Sequence, residues 1–111
     1  MTNGNLPEHW TVEQRKVEEY LLHPVNSRGK AGFFYGYGFS QDRWEELRDA
    51  LLAHTQTATG TFQVASRFGT KYIVTGPLRT PRQGAAHPLV CTVWHRDSGS
   101  SVSRLITAYP A

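Results

Sequence analysis

Gly29–Ser40 reads GKAGFFYGYGFS, five aromatic residues and four glycines in twelve positions. As a strand it would carry Gly32, Gly36 and Gly38 in a ladder that each glycine weakens. As a helix starting near Ser27 it places Ala31, Phe34 and Tyr35 on one side, with Phe33 and Tyr37 adjacent. Gly38 then falls where a helix ends on a left-handed glycine, and Phe39 can fold back as the accompanying apolar contact. Ser40 follows as an N-cap. In the next helix Trp44, Leu47 and Leu51 recur at i, i+3 and i+7, while Glu45, Glu46, Arg48 and Asp49 point away. The reading is two helices hinged at Gly38, with most of the aromatics in a core and not on a base-stacking platform. Gly32 and Gly36 each cost about 1 kcal/mol against Ala in such a helix.

On the N-terminal side, residues 1–10 read as a flexible polar arm containing Gly4 and Pro7. A helix is expected from Thr11, capped by Thr11 with Gln14 closing a capping box, and with Val12, Val17, Tyr20 and Leu21 on one face. Pro24 stops it at His23. Beyond His54 the composition shifts to Thr and small residues, in a loop leading into a strand. Four strand-like segments follow, in TFQVAS, TKYIVTG, PLVCTVWHR and SVSRLITAYP. SRFGT supplies a hairpin between the first two, and RDSGSS turns between the last two. No crossover helix fits between these strands, so they form an antiparallel meander. The expected fold is α+β: N-terminal helices packed on one face of a four-stranded antiparallel sheet, in a single domain over residues 11–111.

Composition narrows the function classes. The chain has 111 residues, 39% of them hydrophobic and 19% charged, which suits one globular domain. No run of eighteen apolar residues is present, which excludes a membrane-spanning helix. The first residues lack the basic and apolar regions of a secretory signal. The expected location is the cytoplasm, or delivery as part of a toxin system. Cys91 is the only cysteine, which rules out a disulfide within the chain and argues against a cysteine-based zinc site; it reads as a buried apolar thiol. The five histidines, at 9, 23, 54, 87 and 95, show no H-x-x-x-H pair, so neither a metal nor a cofactor is expected. The formal charge is +3 and the pI about 9.3, mildly favourable to an anionic partner. Arg outnumbers Lys nine to three, and guanidinium forks suit phosphate.

The blocks YLLHP, GKAGFFYGYGFS, WEELRDAL, FGTKYIVTGPL, TVWHR and RLITAYP together resemble a family of small bacterial domains of unknown function, some of them toxin-like. The resemblance runs from about Val17 to Pro110. The order of helices then strands is also similar to the barnase–EndoU–colicin–RelE group of ribonucleases, an analogy of fold that does not fix function. It implies RNA as a partner and a cognate immunity or antitoxin protein as another. One position departs from the pattern. Where the family often has a His shortly before the KA dipeptide, this chain has Asn26, and His23 stands three residues earlier.

Metal-free RNA cleavage needs a base for the 2′-hydroxyl, cations for the pentacovalent phosphate and an acid for the leaving oxygen. Lys30, Lys71, Arg104, Thr107 and Tyr109 match the family's blocks, and His95 and Arg96 follow TVW. The expected catalytic residues are Lys71, Arg104, His95, Tyr109 and Thr107; the expected binding residues are Lys30, Arg96 and Trp94. Each has an ordinary alternative. The lysines can be solvated surface charges, Tyr109 a lid on the core, His95 a surface histidine, and Trp94 packing in a central strand. Two functions therefore compete: a metal-independent ribonuclease acting through a basic sheet face, and a non-catalytic module binding protein or nucleic acid through the same face.

Overall fold

The computed structural model describes residues 9–82, 84 and 86–111. In chain order these form β1 (His9–Thr11), α1 (Gln14–Lys16) running into a π-helical turn (Val17–Leu21), and α2 (Lys30–Gly36). A 3-10 turn (Gln41–Arg43), α3 (Trp44–His54), β2 (Gly60–Ser66), β3 (Gly69–Pro77), β4 (Leu89–Asp97) and β5 (Val102–Pro110) follow.

The hinge at Gly38 closes α2 as a Schellman motif. The Phe39 N–H donates to Phe34 O at 3.1 Å and the Gly38 N–H to Tyr35 O at 3.0 Å, with Gly38 at φ +99°. The Phe34 and Phe39 rings then meet edge to face at 6.2 Å, both buried. At the other end the Ala31 N–H donates to Ser27 Oγ at 3.0 Å, tying the preceding turn to a helix whose regular turns begin at Lys30 after the left-handed Gly29. Tyr35 instead lies on the surface, where its hydroxyl donates to Leu22 O.

The sheet corrects the expected fold. Among the described residues it has five strands in the order β1-β5-β4-β3-β2, and β1 pairs with β5 in parallel. The other four form the antiparallel meander. His9 and Trp10, expected in a loose arm, lie in β1; residues 1–8 of that arm are outside the described residues. Trp10 explains why three residues suffice. Its ring lies edge-on to Trp94 at 4.9 Å and to Tyr72 at 5.8 Å, anchoring β1 to the core. Thr11 is consequently a strand residue, and the helix cap expected there does not form. Glu13 precedes α1 without a side-chain cap, and Gln14 Nε2 donates to Glu18 Oε1 instead. Ser40 likewise makes no side-chain cap, because a 3-10 turn intervenes before α3.

Helices cover one sheet face only. Val17, Leu21, Phe34, Leu47 and Leu51 pack against Tyr72, Val74, Trp94 and Leu105. His54, at the end of α3, is buried, and its ring nitrogens lie 3.2 Å from Pro77 O and Val74 O. Gly69, at φ +139°, starts β3 where a Cβ would sit 2.1 Å from Arg96 O, so only glycine lets β4 approach. Among the described residues no helix is long and apolar enough to cross a membrane.

Candidate functional site

The register places three expected site residues in one row on the uncovered face. Lys71 pairs with His95 and His95 with Arg104. Strand alternation sends their neighbours Tyr72, Trp94 and Ser103 to the core. Asp97 stands at the same end. Its carboxylate meets His95 Nε2 at 3.1 Å and Arg104 Nη1 at 3.2 Å. Asp97 therefore holds both side chains and offsets the charge of Arg104. Lys71 is exposed, across from His95.

Thr107 lies elsewhere on β5, through an irregularity in the ladder. Trp94 pairs with Leu105 but Val93 with Thr107, so Ile106 is an extra residue. Beyond the bulge Thr107 belongs to the row Phe62, Ile73, Val93. β1 covers the β5 edge only from Val102 to Arg104. Below that point Tyr20 reaches β5, its hydroxyl 3.4 Å from Thr107 Oγ1.

Tyr20 is the residue that sequence reasoning placed on an apolar helix face. It sits in the π-helical turn, a geometry frequent at functional sites. Two cations lie over its ring, Lys16 Nζ at 5.0 Å and Lys30 Nζ at 5.5 Å from the centroid. The Thr107 hydrogen bond lowers the phenol below its ordinary value near 10; burial opposes this, while Lys30 and Lys16 add to the lowering. Lys30 and Thr107, widely separated in sequence, thus converge through a tyrosine named in neither group. The K-x-x-x-Y spacing of Lys16 and Tyr20 was the available signal, since i and i+4 share a helix side.

A cleft of about 440 Å³ opens beside Tyr20, lined by Glu13, Arg15, Lys16, Glu19, Tyr20 and Asn26. Its charges balance, with Arg15 paired to Glu19 at 3.9 Å. The positive character is local, where Lys30 joins Lys16 over Tyr20. Asn26 borders this cleft and holds Glu19 O through Nδ2 at 3.1 Å. His23 braces the backbone. Its Nδ1 accepts the N–H of Val25 at 3.1 Å and of Asn26 at 2.9 Å, stapling the turn before α2.

The remaining expected residues divide. Trp94 is fully buried and donates from Nε1 to Thr92 Oγ1 at 2.7 Å, so it offers no face to a ligand. Arg96 points to the core side and donates to Tyr72 Oη, Ser100 O and Thr70 Oγ1 at 3.0–3.4 Å, bracing the sheet end. Tyr109 is 36% exposed and pairs with Cys91 in the next row of the open face. Cys91 is half-buried there, its Sγ 3.3 Å from Thr75 Oγ1, and not the buried thiol expected. Among the described residues no three His, Cys, Asp or Glu side chains gather as metal ligands. A second pocket, of about 250 Å³ between α3 and Arg79–Pro81, contains none of the groups above.

A search of curated proteins found no match. A search of solved structures likewise found none. The sequence model of one family, described as Domain of unknown function (DUF6883), matches residues 4–111, and the chain belongs to that family.

Proposed function

We propose that the chain is a small toxin-like endoribonuclease that needs no metal and works where the open sheet face meets Tyr20. The observation that carries this reading is the Tyr20 hydroxyl bonded to Thr107, with Lys16 and Lys30 over the same ring. A tyrosine hydroxyl whose surroundings favour its ionised form can exchange a proton with a substrate, and two ammonium groups are charge stabilisers, in a donor set that favours phosphate over a metal ion. In this reading Tyr20 acts in its deprotonated form, taking the proton of a 2′-hydroxyl while the 2′-oxygen attacks the adjacent phosphorus. The phosphorane's negative oxygens face Lys16 and Lys30. The bond to the 5′-oxygen breaks, that oxygen takes a proton from the Lys30 ammonium, and the products are a 2′,3′-cyclic phosphate and a 5′-hydroxyl end. Asn26 cannot transfer a proton and His23 is committed to its turn, so Tyr20 carries the base role.

One observation favours a second reading, a binding module without catalysis. Asp97 pairs with both His95 and Arg104, which holds these side chains and reduces their use in proton transfer or charge stabilisation. Incubation of purified protein with end-labelled RNA in excess chelator separates the two. The enzyme reading expects cleavage that falls at least tenfold in Lys30→Ala. A folded wild type that leaves RNA intact over a wide range of enzyme concentration overturns it in favour of binding.

A further inference from the structure

Among the described residues, the open sheet face carries large apolar groups with no helix over them. Phe62 is 63% exposed and Val64 46% exposed on β2, and Tyr109 is 36% exposed on β5. Ordinary surfaces scatter such groups singly; here they share one face with a row that holds Lys71 and Arg104. Phe62 begins the row that continues through Ile73 and Val93 and ends on Thr107, the partner of Tyr20. Three strand spacings, about 14 Å, separate its ends. Alongside runs the row of Lys71, His95 and Arg104, and Tyr109 lies in the row on the other side. The face therefore presents an apolar strip with Phe62 at its β2 end, Tyr109 beside its β5 end, cations along one border and the Tyr20 site at its exit.

We infer that this face is a track for single-stranded RNA, which lays an unpaired base on Phe62 and another on Tyr109 and passes its backbone along Lys71 and Arg104 to Tyr20. The inference rests on the ribonuclease reading and names its substrate class. Stacking on Phe62 requires a base whose face is free. A duplex keeps its bases stacked inside and offers a protein chiefly sugar and phosphate, so it cannot use this strip. The Asp97 carboxylate limits the charge contributed by Arg104, which leaves Lys71 as the main phosphate contact and aromatic stacking as the larger part of the affinity.

The test uses a fluorescent 2′-O-methyl RNA oligonucleotide, which has no free 2′-hydroxyl and so survives in the site. Anisotropy titrations compare it single-stranded and annealed to its complement, on wild type, Phe62→Ala and Lys71→Ala. Both positions are exposed, so the variants keep the fold, as circular dichroism will verify. The single strand is expected to bind at least tenfold tighter than the duplex. Phe62→Ala should weaken it about 5- to 150-fold, the range for one stacked base. Lys71→Ala should lower the slope of log affinity against log salt by about 0.7. Equal binding of both forms, or a Phe62→Ala variant that binds as wild type, overturns the track, and so does a wild-type dimer that Phe62→Ala dissolves. Tight single-strand binding with this pattern, beside native RNA left uncut, keeps the track and removes the nuclease. Cleavage of native RNA unaffected by Phe62→Ala removes the track and keeps the nuclease.

Discussion

Tyr20→Phe removes one oxygen and separates chemistry from folding. The ring remains, so Lys16 and Lys30 keep an aromatic face at 5.0 and 5.5 Å. The bond lost, to Thr107 Oγ1, is long at 3.4 Å and only part-buried. A hydrogen bond of that kind contributes about 0.5–1.5 kcal/mol, and this one belongs near the lower end. Thermal unfolding should therefore move by only about 2–4 °C, since 1 kcal/mol shifts the midpoint of a domain this size by roughly 4 °C. Catalysis should respond far more, because a positioned proton-transfer group supplies about 10²–10⁴ in rate. The assay is single-turnover cleavage of end-labelled RNA with excess enzyme, beside a melting curve for the same preparation. A variant that melts as wild type and cleaves within threefold of it refutes the role given to Tyr20. A variant that fails to fold refutes the claim that its hydroxyl is structurally minor.

Thr107→Val should move the Tyr20 phenol back up toward its ordinary value, observed by ultraviolet titration of tyrosinate, and shift the alkaline rise of cleavage to higher pH. Because folding lowers this group, its contribution to stability is present above about pH 10 and is lost as pH falls through the lowered value, so Thr107→Val should cost stability most at high pH. Gly69→Ala should destabilise by about 2–4 kcal/mol, since the new Cβ meets Arg96 O at a backbone angle suited to glycine; denaturant titration measures it. Gly32→Ala should instead raise stability by about 0.5–1 kcal/mol, because the position is helical and its Cβ would enter open space. His54→Phe keeps the volume but removes the donor facing Pro77 O and Val74 O, and should cost about 1–3 kcal/mol by the same titration.

The parts of the fold legible in the sequence were those written in local chemistry. Gly38 followed by Phe39 announced a helix end with an apolar clasp, and the Gly-bearing turns marked four strands. β1 carried no such mark: His9–Thr11 is three residues long and pairs with a strand some ninety positions away. Its cause is tertiary, the Trp10 ring against Trp94 and Tyr72. The same limit applied to the site. Strand alternation puts Lys71 and Tyr72 on opposite faces, but only the register brings Lys71, His95 and Arg104 into one row. On β5 the extra residue Ile106 resets which side chains face out, and strand alternation alone does not reveal it. Tyr20 was hidden for a different reason. A tyrosine on an apolar helix stripe looks like core until its hydroxyl is seen at the β5 edge beyond the residues that β1 pairs with.

The most direct measurement offers the purified protein two strands of the same base sequence, one of ribose and one of deoxyribose, in chelator. The account predicts that the ribose strand is cut to fragments ending in 2′,3′-cyclic phosphate, while the deoxyribose strand stays whole because it lacks the attacking hydroxyl. Cutting of both strands, ends of another chemistry, or no cutting of either by folded protein would contradict it.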